Sequence, residues 1–247
     1  MKLLTTGNPK IAKGEKLGYL TNILHLAPAD LSGFNVCPKA TAGCKAACLN
    51  TAGRGGIFRK GETTNAIQKA RIARTVFYFN ERPAFMAQLV KEIKSAIKLA
   101  EKHKLTPVFR LNGTSDLRWE NVSVIVARGK GDAVEYANIF EAFPTIQFYD
   151  YTKLTNRVDL PANYHLTFSL ADGNDEQALE AFRGGMNVAG VFFNVPKSYK
   201  LVSGIDNEHI PVINGDESDL RFLDLVGVLV GLKAKGKAKK DTSGFVK

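Results

Sequence analysis

The fold of this chain is decided by one stretch, Thr106-Pro107-Val108-Phe109-Arg110-Leu111-Asn112-Gly113-Thr114-Ser115-Asp116. Its first six residues form a short apolar strand, and a helix is predicted immediately before it at residues 82–104. The strand runs directly into a polar cluster. Short apolar strands that alternate with helices are typical of parallel βα units. The stretch therefore predicts an α/β protein whose strands end in polar residues.

The same alternation extends over the whole chain. Further strands are predicted at residues 18–26, 145–149, 165–170, 188–195, 209–213 and 226–232, and further helices at 65–79, 119–128, 134–143 and 175–183. Six or seven such units predict one domain over residues 1–247, a full or partial (β/α) barrel of parallel strands with an N-terminal cysteine-bearing loop.

Polar side chains follow several of the predicted strands. Because the carboxyl ends of parallel strands meet at one edge, ligands bind there in α/β architectures. The candidate acid–base residues are Asp116, Asp150 and Asp216, and the candidate cofactor-binding residues are Asn112, Thr114, Ser169, Asn194 and Asn214. The alternative for each loop is that Asn, Asp, Gly and Ser simply form turns and helix caps.

All three cysteines of the chain lie within twelve residues, Cys37, Cys44 and Cys48, with the spacing C-x6-C-x3-C. Their segment, residues 27–60, is rich in Gly, Pro, Ala and Lys and follows the first strand. An odd number of cysteines argues against a disulfide framework. We expect a cytoplasmic protein with a metal-binding loop.

Two kinds of metal centre fit three clustered thiolates, zinc and an iron–sulfur cluster. Structural zinc takes four protein ligands and usually shows a C-x2-C knuckle, which is absent here, although His25 could serve as the fourth ligand. A [4Fe–4S] cluster held by three thiolates keeps one iron open. The cysteine number favours the cluster, and zinc remains the alternative.

The order of strand, cysteine loop, helix and further βα units resembles the radical S-adenosylmethionine enzymes. This resemblance implies that Cys37, Cys44 and Cys48 hold a [4Fe–4S] cluster. Its open iron would chelate S-adenosylmethionine, which is cleaved to a 5′-deoxyadenosyl radical. The usual motif of that superfamily is C-x3-C-x2-C, and this chain departs from it. Asn112-Gly113-Thr114 stands where a Gly-Gly-Glu stretch is expected.

Three stretches resemble the phage and plasmid family called gene product 88. They are residues 24–33, residues 44–56 around Cys44 and Cys48, and residues 231–246, and the likeness spans nearly the whole chain. The resemblance implies a phage or mobile-element origin.

Positive charge is concentrated in the first third of the chain and at its end. The net charge is +10, and the basic tail, residues 233–247, holds six lysines against Asp241. Arg54 and Arg59 stand in a glycine-rich loop that could receive a phosphate or carboxylate before the 65–79 helix. On that helix we expect Gln68, Lys69, Arg71 and Arg74 to be exposed. A basic excess suits a nucleic acid or a phosphorylated substrate, and equally suits solubility.

Two functions follow from these patterns. The first is an iron–sulfur, radical-S-adenosylmethionine-like enzyme of mobile-element origin that acts on a small-molecule, nucleotide or nucleic-acid-linked substrate. The second is a zinc-stapled basic nucleic-acid-binding protein without catalytic activity. The sequence has no apolar run of the roughly 20 residues that span a bilayer, so we expect no membrane partner. The oligomeric state is left open.

Overall fold

A computed structural model of the chain describes residues 1–6, 9–129, 131–201 and 209–247. In it, the strand that follows the long helix pairs with a parallel strand on each side. The strands are β1 (Leu4–Thr5), β2 (Tyr19–Leu24), β3 (Thr106–Arg110), β4 (Val124–Gly129), β5 (Asp132–Tyr136), β6 (Gln147–Thr152), β7 (Tyr164–Ser169), β8 (Val188–Phe192), β9 (Ser198–Tyr199), β10 (Ile210–Asn214) and β11 (Leu229–Lys233). The helices are α1 (Pro9–Glu15), α2 (Ala42–Ala46), α3 (Ala66–Asn80), α4 (Arg82–Lys102), α5 (Ile139–Ala142) and α6 (Asp175–Arg183).

One nine-stranded sheet organises the molecule, in the order β1-β2-β3-β6-β7-β8-β11-β10-β9. Every pairing from β2 to β10 is parallel, and only the edge strands β1 and β9 run antiparallel. The predicted α/β class is confirmed. Among the described residues no pairing joins β1 to β9, so closure into a barrel stays a prediction.

The last parallel crossover reverses direction. From β2 to β8 each new sheet strand lies beside the previous one, whereas β10 lies outside β11 although it precedes it in the chain. Because parallel crossovers are right-handed, a backward step places its connection on the opposite face of the sheet. The β10–β11 connection accordingly packs Leu220 and Phe222 against Val108 and Tyr149.

The opposite face of the sheet is covered by helices and carries most of the apolar core. Phe109, Phe148 and Leu166 from successive strands pack against Leu89 and Ile93 of α4. The apolar spacing of α4 predicted this face, because residues three or four apart lie on one side of a helix. Side chains alternate across a strand, so Arg110, Tyr149 and Thr167 point to the other, more polar face.

A β-hairpin replaces two predicted helices. Residues 119–128 were expected to be helical, but only Trp119–Asn121 forms a 3-10 turn, and β4 follows it. β5 occupies the start of the helix predicted at 134–143, of which only α5 remains. The β-branched run explains the difference, since Val124 and Val126 are buried while Ile125 is 60% exposed, the two-residue period of a strand.

Both long helices are confirmed with small changes at their ends. α3 begins one residue later than predicted because Asn65, rather than Thr63 or Thr64, caps it by accepting a hydrogen bond from Gln68 N at 3.0 Å. α4 carries Pro83 in its first turn, as expected. Within the described residues, no helix has the length and apolarity that crossing a membrane requires.

We predict that Leu220→Ala lowers the free energy of unfolding by about 2–5 kcal/mol, because it opens a cavity between the β10–β11 connection and the sheet. Leu223→Ala is the matched control. Leu220 is 1% exposed and Leu223 is 50% exposed, so the control should change stability by no more than about 0.5 kcal/mol. Urea denaturation measures both, and equal losses would contradict the buried position of the connection.

Candidate metal centre

The cysteine segment, residues 27–60, leaves the end of β2 and is tied to the loop that follows β3. Thr114 Oγ1 donates to the carbonyl of Leu26 at 2.5 Å, and Asp116 N donates to the carbonyl of Val36 at 2.8 Å. From the other side, the hydroxyl of Thr75 on α3 accepts from Ala27 N at 2.9 Å. These bonds place the segment at the carboxyl ends of the parallel strands.

Cys37 is held against the β3 loop by its own sulfur. Ala29 N donates to Cys37 Sγ at 3.3 Å, and Sγ lies 3.6 Å from the carbonyl oxygen of Thr114. Burial raises the pKa of Cys37 to about 11; the Ala29 hydrogen bond opposes this, and the charges of Cys48, Cys44 and Asp116 add to it. The free thiol is therefore protonated at neutral pH, and a bound metal would have to displace its proton.

Cys44 and Cys48 lie on and just after the short helix α2. Thr41 caps that helix by accepting from Cys44 N at 3.1 Å. Cys48 Sγ accepts from Asn50 N at 3.5 Å. Burial raises the pKa of Cys48, and the charge of Cys44 adds to this effect, whereas the Asn50 hydrogen bond and the cations Arg71 and Lys153 oppose it.

The three thiols influence one another electrostatically but are not arranged as a ligand set in the described part of the chain. Each of the pairs Cys37–Cys44, Cys37–Cys48 and Cys44–Cys48 is close enough for one charge to shift the other group. In the part of the chain that the structure describes, no three His, Cys, Asp or Glu side chains are arranged to hold a metal ion. The donor set itself, three sulfurs on one loop with backbone N–H groups directed at two of them, suits a thiophilic centre.

His25, the proposed fourth zinc ligand, lies at the end of β2. Its Nδ1 is 3.4 Å from the hydroxyl of Thr5. Burial lowers its pKa to about 3, and the charges of Arg71, Arg110 and Arg74 add to the effect. The imidazole is thus neutral, as a metal ligand must be, but it joins no group of ligands with the cysteines among the described residues.

Two cations beside Cys48 were not identified from the sequence. Arg71 was expected on the exposed face of α3, but it is half-buried, and its Nη1 donates to Asn50 Oδ1 at 2.6 Å. Gln68 was also expected to be exposed and is buried, with Nε2 donating to the carbonyl of Gly55. Both face the cysteine segment. The helical periodicity of α3 could have identified Arg71 and Gln68 as buried only if the cysteine segment had been known to cover that face of the helix.

Lys153 is the second of these cations, and it connects three predicted site residues. It directly follows β6, its Nζ donates to Ser169 Oγ at 2.9 Å, and its backbone N donates to Asp116 Oδ2 at 2.8 Å. Asp116 also lies 3.5 Å from Arg157 Nη1. The structure therefore brings Asp116 and Ser169 together around one lysine at the edge where the strand ends meet, and the charge of that lysine opposes the rise in the pKa of Cys48.

Asn112 organises the β3 loop from within. Its Oδ1 accepts from Ser115 Oγ, Leu117 N and Trp119 Nε1 at 2.8, 2.9 and 3.1 Å. The side chain is 2% exposed. These contacts shape the loop, so the turn-forming interpretation of Asn112 accounts for them, and the side chain positions Thr114 and Asp116.

Asp150 is fully buried behind this edge. Its Oδ1 accepts from Asn112 N at 2.7 Å, and its Oδ2 accepts from Tyr164 Oη at 3.0 Å. Burial raises its pKa to about 7, while Arg110, the two hydrogen bonds and Arg157 oppose the rise. Its contacts join β3, β6 and β7 and give it no exposure to a substrate.

The remaining predicted residues lie elsewhere. Asn214 ends β10 and accepts from Asp216 N in the turn that follows, where Asp216 pairs with Lys235 at 2.5 Å and accepts from Lys233 N at 3.0 Å. Asn194 is exposed after β8. Arg54 and Arg59 are exposed near the end of the cysteine segment.

The C-terminal segment, residues 233–247, packs against the cysteine segment. Ala234, Ala238, Phe245 and Val246 are buried with Ala47 and with the partly buried Cys44. Val246 bridges to Val191 of β8, and Lys247 N donates to the Val191 carbonyl at 2.8 Å. The sequence showed only a basic tail, because its few apolar residues have no periodic pattern.

Asp172 fastens α2 to the end of β7. It accepts from the Thr41 hydroxyl and, at 3.1 Å, from Gly43 N. Burial acts to raise its pKa, but these hydrogen bonds outweigh it and lower the pKa. Gly43 allows the approach, because a Cβ there would lie 2.6 Å from Asp172 Oδ1 and 2.2 Å from Ser243 Oγ.

The fold and the site together define an α/β protein with a three-cysteine loop at the carboxyl ends of its parallel strands. A family model for gene product 88 matches residues 2–247. The chain belongs to the gene product 88 family, as its sequence resemblance indicated. No curated protein and no solved structure matches the chain.

We predict that Asp150→Asn removes a pH dependence of stability. The folded-state pKa of about 7 lies above the unfolded value of 3.8. The folded state therefore binds the extra proton, and the wild type should lose stability as the pH rises from about 4 to 7, at no more than about 1.4 kcal/mol per pH unit. Above pH 7 the curve should be flat.

Urea denaturation at pH 4, 5, 6, 7 and 8 measures this effect. The exposed Asp132→Asn is the matched control and should keep the wild-type slope. Parallel stability curves for the wild type and Asp150→Asn would show that Asp150 is ionised in the folded protein at low pH.

Proposed function

We propose that this protein is a [4Fe–4S]-binding, radical-S-adenosylmethionine-like enzyme of phage or mobile-element origin, acting on a nucleotide or nucleic-acid-linked substrate in the cytoplasm. The observation that carries the proposal is the position of the cysteine loop. It follows the first parallel strand and lies where the carboxyl ends of β2, β3, β6 and β7 meet. Closure of the sheet into a partial barrel belongs to the same proposal.

The donor set supports a cluster more than a closed zinc site. Cys37, Cys44 and Cys48 would hold the cluster through three thiolates. Backbone N–H groups of Ala29 and Asn50 already point at two of the sulfurs, and such hydrogen bonds tune cluster potentials. Structural zinc needs four protein ligands. His25 is neutral and therefore suited to zinc, which keeps the zinc-stapled nucleic-acid-binding protein as the second candidate.

A cluster held in this way would supply an electron and one open iron for a chelating cofactor such as S-adenosylmethionine. The chain's own residues supply charge and position. Arg71 and Lys153 place positive charge beside Cys48, which offsets the charge of the thiolates and attracts a carboxylate or phosphate. Ser169 and Asp116 fix Lys153 through its Nζ and its backbone N.

We expect anaerobically reconstituted protein to be brown, to absorb broadly near the blue end of the visible range, and to carry about four irons per chain. Cys37→Ala, Cys44→Ala and Cys48→Ala should each remove the colour and most of the iron. Ser32→Ala is the matched control on the same loop, where its hydroxyl makes only a local contact with Phe34, and it should keep both. Iron analysis and visible spectra measure the outcome.

Stoichiometric zinc in a colourless, well-folded preparation would contradict the cluster. In that event His25→Ala should release the zinc, which identifies the second candidate. Far-ultraviolet circular dichroism on every variant separates loss of metal from loss of fold.

We further expect the reduced cluster protein to cleave S-adenosylmethionine reductively to 5′-deoxyadenosine. The measurement is chromatography of the product after addition of a chemical reductant. Lys153→Met removes a charge beside Cys48 without shortening the side chain greatly, so it should weaken cofactor binding and leave the iron content unchanged. An intact, reduced cluster that yields no product would leave a cluster protein without radical chemistry.

A further inference from the structure

A group of exposed cations borders the cysteine site. We name it the basic rim and define it as Arg54, Arg59, Lys60, Lys237, Lys239 and Lys240. The first three residues follow Cys48 in the chain, and the last three belong to the C-terminal segment. The rim is assembled only by the fold, because 176 residues, 61–236, separate the two groups in the chain.

Direct packing joins the two halves of the rim. The 3-10 turn Gly236–Lys240 lies against the turn Leu49–Thr51, which begins immediately after Cys48. Gly236 has a φ of 58°, and a Cβ there would stand 3.3 Å from Ala52 Cα and from the Thr51 carbonyl oxygen. Ala238 in the same turn is buried beside Cys44. The turn that carries Lys237, Lys239 and Lys240 therefore lies beside the turn that follows Cys48.

The rim is not neutralised by the rest of the described structure. Other cations nearby have acidic partners, since Lys235 pairs with Asp216, Lys247 with Asp175, and Lys45 with Asp30. Within the described residues, none of the six rim side chains makes such an ion pair.

The two carboxylates closest to the rim in sequence are engaged in local hydrogen bonds. Glu62 accepts from Arg59 N, and Asp241 accepts from Ser243 Oγ and Val246 N. Neither carboxylate forms an ion pair with a rim cation in the described part of the chain. The rim thus carries six positive charges against these two negative ones.

Apolar side chains are exposed among these charges. Leu49 is 54% exposed, Ile57 is 68% exposed and Phe58 is 39% exposed. Cations that track a phosphate backbone, interleaved with an aromatic ring and apolar side chains on which bases can lie, are the pattern of single-strand nucleic-acid binding. A duplex would present only phosphates and groove edges to such a surface.

We propose that the basic rim binds single-stranded nucleic acid and presents a nucleotide of that strand to the cysteine site. The proposal names the substrate class of the site described above and in that respect rests on the proposed function. A free nucleotide cannot contact six cations spread over two chain segments, so a polymer fits the rim better. Chemistry on a base also requires the base to be unstacked, which a single strand allows.

Fluorescence anisotropy with a labelled 30-nucleotide oligo(dT) and oligo(U) tests the proposal on the full chain. A duplex of equal length, unlabelled AMP as competitor, and phosphatidylserine vesicles are the comparison ligands. We expect the single strands to bind at least tenfold more tightly than the duplex, with a slope of log K against log salt of about −4 for six contacts. AMP and vesicles should not compete at equal charge concentration.

The variant Lys237→Ala/Lys239→Ala/Lys240→Ala should weaken single-strand binding more than tenfold and reduce the salt slope by about 2. Its matched control is Lys91→Ala/Lys94→Ala/Lys98→Ala. Those lysines line a groove of about 380 Å³ between α4 and β4, and their removal changes net charge equally. The control should stay within twofold of the wild type. Phe58→Leu should weaken binding about tenfold through lost stacking.

Several results would overturn the proposal. Equal effects of the two triple variants would reduce the binding to net charge, equal affinity for duplex would remove the single-strand preference, and competition by vesicles would assign the surface to anionic lipid. Iron content is measured on the same samples. If the protein binds single strands but holds no cluster, the rim proposal is supported and the proposed function is refuted. If it holds a cluster but binds no single strand, the proposed function is supported and the rim proposal is refuted.

Discussion

The cysteine segment depends on one close approach, where the turn after β3 meets the end of β2. Gly113 N donates to the Leu24 carbonyl at 3.0 Å, and a Cβ on Gly113 would lie 2.6 Å from Ile23 Cγ2 and 2.7 Å from that carbonyl oxygen. Only glycine allows this contact. The bonds from Thr114 to Leu26 and from Asp116 to Val36 follow from it, and so does the position of Cys37.

A buried arginine near this contact is neutralised by two carboxylates. Arg157 is 5% exposed and donates to Glu120 at 2.5 and 2.9 Å while lying 3.5 Å from Asp116. A buried cation of this kind is stable only when partners surround it, because removal of one partner leaves an uncompensated charge. The network therefore fixes the β3 loop and the residues after β6 in one arrangement. In that arrangement Lys153 donates to Ser169.

The reversal of the last crossover has a consequence for the site. It turns the β10–β11 connection onto the polar face, where Arg221 is buried and pairs with Asp224 at 3.2 Å. It also carries the chain after β11 back across the ends of the strands, so that residues 233–247 reach the cysteine segment. A segment that looks like a solvated tail is in this way part of the wall around Cys44.

The sequence by itself determined the α/β class, the two long helices, the parallel strands and the position of the cysteine loop after the first of them. Local periodicity and the clustering of Cys37, Cys44 and Cys48 encode those features, and each pattern is visible within a short stretch of residues. The β4–β5 hairpin was missed because its β-branched run is short and was assigned to a helix. Its strand character depends on the packing of Val124 and Val126 in the core beside α4.

Only the tertiary structure decided the surroundings of the thiols. Arg71, Lys153, Asp172 and the C-terminal segment come from distant parts of the chain, and hydrogen bonds and burial bring them together. It also tied Asp216 to Lys233 and Lys235 of the C-terminal segment and placed Asp150 in the core. Side-chain chemistry can be read from a sequence, whereas proximity depends on the order and handedness of strand connections, which no single stretch of residues encodes.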